Sequence, residues 1–424
     1  MTFTDIFAFL FDFAFFYPFF MAYLWITGAV YYFFYREKVE KRAVDDPPPL
    51  KETPGITFIV PCHDEGQNAR ETIGALFDQA YPDFEIIAVN DASNDETGQI
   101  LDEMAMTEDR LRVIHFDANQ GKAMGLRAGA AAANNEILIC IDGDAILDPH
   151  AAHWLVWHFV NGPRVGAVTG NPRVRNRTSL LGKIQAGEFS SIIGLIKRAQ
   201  RIYGRIFTVS GVVAAFRRSA LQKVGYWNLD MVTEDIDISW SLQTHHWDIR
   251  YEPNALCYIL MPETFKGLWS QRLRWAQGGI EVLMRHFPEL LSWRNRRMWI
   301  VALELIVSTF WAYTIVFVYT IWLIGQFFAL PPALTVTAVL PGWSGVLLGT
   351  TCLLQFLISL IIDSRYESNT LGRYYYWMIW YPMVYWAIQA AASCAAVPKA
   401  ISKNRGKRAV WVSPDRGFRP QPEE

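Results

Sequence analysis

Residues 136–144 read EILICIDGD, a short apolar run rich in isoleucine that ends in two aspartates separated by a glycine. Three similar runs precede it: ITFIVPC at 56–62, FEIIAVND at 84–91 and LRVIHF at 111–116. Polar or alanine-rich stretches of helical character lie between them, at 67–79, 95–106 and 122–134. This alternation is typical of βα units, so we predict an α/β domain with a mostly parallel, Rossmann-like sheet.

Membrane-type sequence lies on both sides of this domain. The chain of 424 residues is 52% hydrophobic, and its mean hydropathy of +0.11 exceeds what soluble domains usually show. Four runs, at 13–35, 298–327, 345–362 and 374–397, satisfy the requirement of roughly 20 apolar residues for a helical span. Basic residues directly after the first run place the α/β domain in the cytoplasm. We therefore predict a multi-pass membrane protein with an α-helical transmembrane bundle and a cytosolic domain.

The sequence leaves open the side on which the carboxyl-terminal tail lies. Four crossings would put it outside, yet its lysine and arginine content favours the inside. Pro382, in the middle of the last apolar run, permits a kinked or re-entrant segment that would return the tail to the cytoplasm.

Composition shifts divide the chain into six parts. The proline-rich stretch DDPPPLKETPG cannot continue a helix and separates the first span from the α/β domain. We predict a transmembrane anchor at 1–38, this linker at 39–55, the α/β domain at 56–265, interfacial amphipathic helices at 266–297, about three transmembrane helices at 298–398 and a basic tail at 399–424.

Charge, cysteine and histidine content exclude several classes of protein. The 39 basic and 41 acidic residues give a net charge of -2, so nothing favours nucleic acid as a partner. The five cysteines form no CxxC pair, which argues against a disulfide framework or a structural zinc site. The eight histidines include no HExxH motif and are predicted to be surface or interfacial residues.

Acidic residues follow three of the predicted strands. Asp64 and Glu65 come after the first strand, Asp91 after the second, and Asp142 and Asp144 after the fourth. In an open parallel sheet, ligands bind beyond the carboxyl ends of the strands. Carboxylates two residues apart can share one hard cation, for which Mg²⁺ or Mn²⁺ fits best. For any single aspartate, a helix N-cap is the alternative interpretation.

Other phosphate-binding motifs are missing from the sequence. It has neither a P-loop nor a GxGxxG fingerprint after the first strand, so a nucleotide held by a carboxylate-bound metal is the interpretation that remains. Lys122, in the turn NQGKAMG, is within reach of a phosphate in this arrangement, although a solvated surface lysine is the commoner case.

Two further polar clusters follow later in the chain. Residues 231–237, MVTEDID, contain three acids at the start of a predicted helix, a position that the helix dipole also favours. Residues 271–275, QRLRW, precede the second apolar run, where basic anchoring at the membrane surface is the alternative interpretation.

The segments FIVPCHDE, AVNDAS, CIDGDA, VTEDID and QRLRW, in this order and spacing, resemble those of processive, membrane-embedded family 2 glycosyltransferases, which include cellulose, chitin and hyaluronan synthases. Over nearly the whole chain, including FTVSGVVAAFRRSAL and WVSPDRG, the sequence is similar to bacterial poly-β-1,6-N-acetylglucosamine synthases of biofilm matrix production. The resemblance implies a GT-A fold and an inverting, processive transfer of N-acetylglucosamine from UDP-GlcNAc to a growing β-1,6-linked polymer. It further implies coupling of this transfer to export across the bacterial inner membrane.

The resemblance also implies roles for residues at matching positions. Asp235 would be the general base, with Glu234 and Thr233 beside it, and Trp275 would contact the acceptor sugar. Asp142 and Asp144 would hold the metal. The donor nucleotide would be bound by Asp64, Glu65, Asp91, Lys122, Asp142, Gln271 and Arg274.

Alternatives to this function stay open at the level of the sequence. One is synthesis of another UDP-sugar polymer of the chitin, hyaluronan or cellulose type, and a second is transfer of one sugar to a polyprenyl phosphate. A noncatalytic nucleotide receptor is disfavoured because every motif acid is present. Implied partners are the lipid bilayer, the growing polysaccharide, a small membrane accessory subunit and cyclic di-GMP. Glu304, an acid inside a predicted span, is a candidate channel-mouth residue.

Overall fold

The computed structural model describes residues 3–38, 42–336, 343–367, 371–403 and 406–411. Its α/β domain contains eight strands, which belong to one sheet. They are β1 (Ile56–Cys62), β2 (Phe84–Asn90), β3 (Leu111–His115), β4 (Ile137–Ile141), β5 (Ile146–Leu147), β6 (Val165–Val174), β7 (Val213–Arg217) and β8 (Asp248–Ile259).

Thirteen α-helices are found in the described residues. Ten of them belong to the anchor, the α/β domain and the segment that follows it: α1 (Phe3–Tyr32), α2 (Ala69–Phe77), α3 (Thr97–Ala105), α4 (Lys122–Ala132), α5 (Ala151–Val160), α6 (Leu180–Phe189), α7 (Ile196–Tyr203), α8 (Arg218–Val224), α9 (Glu234–Thr244) and α10 (Phe265–Leu290). The remaining three are α11 (Trp299–Gly325), α12 (Trp343–Asp363) and α13 (Trp386–Ser402). Shorter 3-10 and π segments join some of them.

The sheet has the order β3-β2-β1-β4-β7-β6-β8-β5. The four runs recognised in the sequence form β1 to β4, which pair in parallel with one another. Every residue of β1 and β4 is buried because helices cover both faces of the sheet. The prediction of an α/β domain is confirmed, and the sheet also contains antiparallel pairings: β7 pairs antiparallel with β4 and β6, and β5 pairs antiparallel with β8.

Three helical segments in the described residues are long and apolar enough to cross a membrane. They are Thr4–Glu37, Trp293–Gly325 and Gly345–Asp363. The first lies before the α/β domain and the other two lie after it, so two crossings would return the chain to the side of that domain.

The fourth apolar run does not form one long helix in the structure. Residues predicted to span at 374–397 are divided among a 3-10 segment (Leu371–Trp380), a π segment (Tyr381–Tyr385) and α13. Pro382, which lies in the π segment, cannot donate a backbone hydrogen bond and accounts for the break. α13 has 17 residues, fewer than the roughly 20 needed for a span. It packs against α10 and α11. The break at Pro382 is the kink that the sequence permits, and both the re-entrant alternative and a fourth crossing stay predictions.

A buried group of charged side chains joins the membrane helices to the α/β domain. Arg198 Nε of α7 lies 2.6 Å from Glu37 Oε1, which follows α1, and its Nη1 lies 2.9 Å from Asp363 Oδ1 at the end of α12. Arg173 of β6 contacts the other oxygen of Asp363 at 2.7 Å. All four side chains are almost fully buried. We call these four residues the junction cluster.

Candidate active site

The acidic motifs converge at the carboxyl ends of β1, β2 and β4, where the amino terminus of α9 also arrives. Lys122, the first residue of α4, connects two of them. Its Nζ lies 2.6 Å from Asp142 Oδ1 and 3.0 Å from Glu234 Oε1, and it donates to the carbonyl of Gly211 at 3.1 Å. Burial alone would lower the pKa of Lys122, but Asp142 and Glu234 raise it above its usual range. The lysine is therefore a partly buried cation shared by two motifs.

Asp235 differs from its neighbour Glu234 in its electrostatic surroundings. Burial, together with the charge of Glu234, raises the pKa of Asp235 to about 6. Burial would also raise the pKa of Glu234, but the ion pair with Lys122 lowers it instead. Carboxylates whose environments separate their pKa values in this way commonly have different roles in proton transfer. Asp235 is the one suited to accept a proton near neutral pH.

Glycines permit close packing around Asp235. A Cβ atom at Gly211 would lie 3.1 Å from Asp235 Oδ2, so the loop before β7 approaches the carboxylate closely. A Cβ atom at Gly278 of α10 would overlap the hydroxyl of Thr233, the residue that precedes α9. The side chain of Thr233 therefore packs closely between α9 and α10, and this packing positions the start of α9.

Asp91 binds the turn that carries Lys122. Its side chain is fully buried, and its two oxygens accept hydrogen bonds from the backbone N–H groups of Gln120 (2.6 Å) and Gly121 (2.8 Å). Gly121 has a φ of 87°, a left-handed conformation that favours glycine. Asp91 thereby fixes the entry to α4.

The acids after β1 lie in the turn next to the end of β2. Asp64 has a φ of 54°, and its Oδ1 accepts a hydrogen bond from the N–H of Asn94 at 2.7 Å. Glu65 is buried, and its side chain borders Gly143 of the DGD motif. Asp144 is buried in the same region. The structure therefore places Glu65 beside Asp142 and Asp144. Asp64 instead accepts a hydrogen bond from the loop that follows β2.

The QRLRW motif divides into structural and site-facing residues. Arg272 is buried and pairs with Glu188 at 2.5 Å, and Trp275 stacks on its guanidinium at 4.5 Å. Arg274 is exposed, and its charge is near enough to act on the carboxylates of Glu234 and Asp235. Gln271 is half-buried, and its Nε2 lies 3.9 Å from the sulfur of Met261. Among the two arginines, Arg274 is the one available to a ligand.

The part of the tail that reaches this site, at Trp411, was not predicted from the sequence. The backbone N–H and carbonyl of Trp411 both bond the side chain of Asn119, at 3.2 and 2.9 Å. The indole of Trp411 lies 5.9 Å from the ring of His63. The tail is therefore on the same side of the membrane helices as the α/β domain. Residues after Trp411, which include most of WVSPDRG, lie outside the described residues.

His286 connects the helix of the QRLRW motif to the helix of Asp235. Its Nε2 lies 3.0 Å from Asp237 Oδ1, and its Nδ1 lies 3.2 Å from Glu289 Oε2. The prediction that the histidines lie at surfaces or interfaces is wrong for this residue, which is 3% exposed. Burial would lower the pKa of His286, but the two carboxylates raise it to about 9.

We expect this pair to make stability depend on pH. A histidine whose pKa rises from 6.5 to about 9 on folding contributes stability that is fully present below pH 6.5 and is lost as the pH rises through 9. The contribution is about 3 kcal/mol. Thermal unfolding between pH 6 and 10 should show this loss in the wild type and a flatter profile in His286→Gln. His115→Gln, which removes a solvent-exposed pair with Asp102, is the matched control and should retain the wild-type profile.

Comparison with known proteins identifies the family. Residues 54–278 match the family described as glycosyltransferase like family 2. The chain is 41% identical over 409 residues to the poly-beta-1,6-N-acetyl-D-glucosamine synthase of Staphylococcus epidermidis, covering 96% of this chain and 98% of the relative. It is 40% identical, with the same coverage, to the enzyme of that name from Staphylococcus aureus (strain COL).

A solved structure supports the fold independently. The mannosyltransferase PcManGT from Pyrobaculum calidifontis, in complex with GDP-Man and Mn2+, is similar with a TM-score of 0.55 and 17% sequence identity. The similarity covers 89% of this chain and 96% of that chain. At this identity the likeness concerns the fold alone, and it agrees with the GT-A prediction. On its sequence and its fold together, the chain belongs to glycosyltransferase family 2 and is a glycosyltransferase.

Proposed function

We propose that the enzyme is a processive poly-β-1,6-N-acetylglucosamine synthase that uses UDP-GlcNAc as donor. The identity of the sugar is inferred from the similarity to synthases of that name over 96% of the chain. The evidence for the chemistry is Asp235, a half-buried carboxylate with a pKa of about 6 at the start of α9. Export of the polymer across the bacterial inner membrane, by a multi-pass protein whose catalytic domain is cytosolic, is part of the proposal.

Proton transfer is the step that Asp235 would perform. An acceptor hydroxyl is a weak nucleophile at neutral pH, so a carboxylate within about 3 Å must take its proton as the new bond forms. The acceptor oxygen bonds to the anomeric carbon, the bond from that carbon to the diphosphate oxygen breaks, and UDP departs with the bonding electrons. The proton stays on Asp235, and the configuration at the anomeric carbon inverts.

Negative charge develops on the departing UDP and needs a counter-charge. Arg274 is exposed, and its charge is near enough to act on Glu234 and Asp235, so we assign it to the diphosphate together with Gln271. A well-placed donor of this kind contributes roughly 3 kcal/mol to a transition state. We assign Asp64, Glu65, Asp91 and Lys122 to the nucleotide side of the same crevice. Trp275 would offer its indole to the acceptor sugar.

A divalent cation fits the DGD motif. Asp142 and Asp144 are hard oxygen ligands at the end of β4. No group of three or more candidate ligand side chains occurs in the described part of the chain. A Mg²⁺ or Mn²⁺ ion at this motif would take one or two carboxylates from the protein and its other ligands from phosphate and water. When bound, such an ion neutralises diphosphate charge. A small accessory subunit and cyclic di-GMP stay hypotheses based on the family resemblance.

Donor competition on the purified full chain tests this proposal. With Mg²⁺ or Mn²⁺, UDP-GlcNAc should give UDP release and a polymer that a hexosaminidase degrades, with 1,6 linkages in linkage analysis. UDP-glucose and UDP-glucuronate should give no polymer. Polymer from either of these sugars would indicate a synthase of the cellulose or hyaluronan type. A single sugar on each polyprenyl phosphate would indicate the lipid-linked alternative.

A further inference from the structure

A cavity lies away from the active site, where the α/β domain meets the membrane helices. Its volume is about 190 Å³, and it is enclosed by α1, α7, the loop after α7 and the first turns of α11. Apolar side chains from the two membrane helices form part of its lining: Leu24, Trp25, Ile300 and Val301. Polar side chains from α7, its following loop and α11 form the rest: Gln200, Tyr203, Arg205 and Glu304.

Arg205 has hydrogen-bonding capacity that the protein does not use. Its Nη1 donates to the carbonyl of Trp247 at 3.3 Å. Its Nε is buried, and no group in the described part of the chain accepts a hydrogen bond from it. Leaving such a donor unpaired is costly, so a guanidinium of this kind commonly has an acceptor from outside the chain.

The surroundings of Arg205 are strongly positive. Burial and the nearby charges of Arg297, Arg201 and Arg164 lower the pKa of the guanidinium, and Asp248 opposes them. Glu304 is a second acid of the region, because it lines the same cavity. Asp248 is already shared between Arg201 at 3.0 Å and Arg250 at 3.2 Å. Within the described residues the region therefore has more cations than anions, and a phosphate would balance it.

The other polar side chains of the cavity lining already make hydrogen bonds within the protein. The hydroxyl of Tyr203 donates to the carbonyl of Leu24 in α1 at 3.0 Å. The side chain of Gln200 accepts from the N–H of Phe207 at 3.0 Å and bonds Glu304. Glu304, considered from the sequence as a channel-mouth residue, thus faces this cavity. Arg205 is a lining residue with a buried donor that no group in the described part of the chain accepts.

The apolar side of the cavity continues onto the surface that would face lipid. Ile300 is 55% exposed, and it belongs to a segment apolar enough to cross a membrane. A ligand that matches both the polar and the apolar side chains of this lining must combine a phosphate with a hydrocarbon chain. We propose that this cavity binds an anionic phospholipid, with its phosphodiester at Arg205 and one acyl chain along α1 and α11.

Native mass spectrometry of the full chain, stripped of lipid in detergent, tests the proposal. Titration with phosphatidylglycerol should show one tightly bound lipid, and phosphatidylcholine should bind more weakly. Arg205→Gln should weaken phosphatidylglycerol binding about tenfold, the loss expected for one charge-assisted contact. Arg296→Gln removes the same charge from an exposed neighbour that contacts Trp293, and binding should not change.

Two outcomes would overturn the proposal. Equal weakening by Arg205→Gln and Arg296→Gln would mean that lipid responds only to the general positive charge of the surface. Competition by millimolar inorganic phosphate as effective as that by the lipid would mean a site for a soluble anion. If Arg205→Gln fails to fold, Ile300→Trp tests the proposal instead. The larger side chain narrows the apolar part of the cavity without removing a charge. That variant should lose the bound lipid, and unchanged binding would contradict the placement of the acyl chain.

Discussion

Replacing Asp235 by asparagine is expected to lower the turnover of polymer synthesis by about 10² to 10⁴-fold, the usual contribution of a general base. Asparagine has nearly the same shape but cannot take the proton of the acceptor hydroxyl. Wild-type activity should also fall as the pH drops through about 6, because the carboxylate must be unprotonated to act. UDP release at a series of pH values measures both effects, and the residual activity of the variant should lack this acidic limb.

The control for Asp235→Asn must separate chemistry from folding. Asp102→Asn removes an acid of α3 that pairs with His115 at the surface, and its activity should equal that of the wild type. Thermal unfolding and UDP binding of Asp235→Asn should stay close to the wild-type values. An intact variant with full activity would exclude Asp235 as the base, although the family assignment would stand.

Arg198→Met is expected to cause the largest loss of stability among single substitutions in the junction cluster. It leaves the carboxylate of Glu37 without its arginine and removes one of two arginines from Asp363. Breaking a buried ion pair by removing one partner typically costs about 3 to 5 kcal/mol. Thermal unfolding of the purified protein in one fixed detergent measures the loss.

A matched surface pair provides the comparison. Arg175→Met breaks an ion pair with Glu71 at 2.7 Å, but both side chains are partly exposed, so the loss should be about 1 kcal/mol or less. Adding Glu37→Gln to Arg198→Met should recover part of the stability, because it removes the buried charge that was left unpaired. A loss in Arg198→Met no larger than in Arg175→Met would show that the junction cluster contributes little to stability.

Much of the fold could be predicted because local patterns and tertiary structure agree. The runs at 56–62, 84–91, 111–116 and 136–144 became β1 to β4, since parallel strands covered on both faces are continuously apolar. The three helices between them begin and end within two residues of the predicted bounds. The acids that follow these strands lie close together because the carboxyl ends of parallel strands share one edge of the sheet.

Other features depend on contacts between distant residues and could not be read from local sequence. The antiparallel direction of β7 follows from how the long connection after β6 returns to the sheet. A solvated position was the commoner expectation for Lys122, but two acids more than 90 residues apart in the chain enclose it. Arg272 and Arg274 are two residues apart in one motif, and only the partner Glu188 reveals that the first is structural.

The pairing of Trp411 with Asn119 has a consequence for how the enzyme is made. In chain order Trp411 comes after every helix that is long and apolar enough to cross a membrane, whereas Asn119 lies within the α/β domain that precedes the last two of them. During translation, this contact can therefore form only once those helices have left the ribosome. This part of the α/β domain is therefore completed last, after those helices have been synthesised.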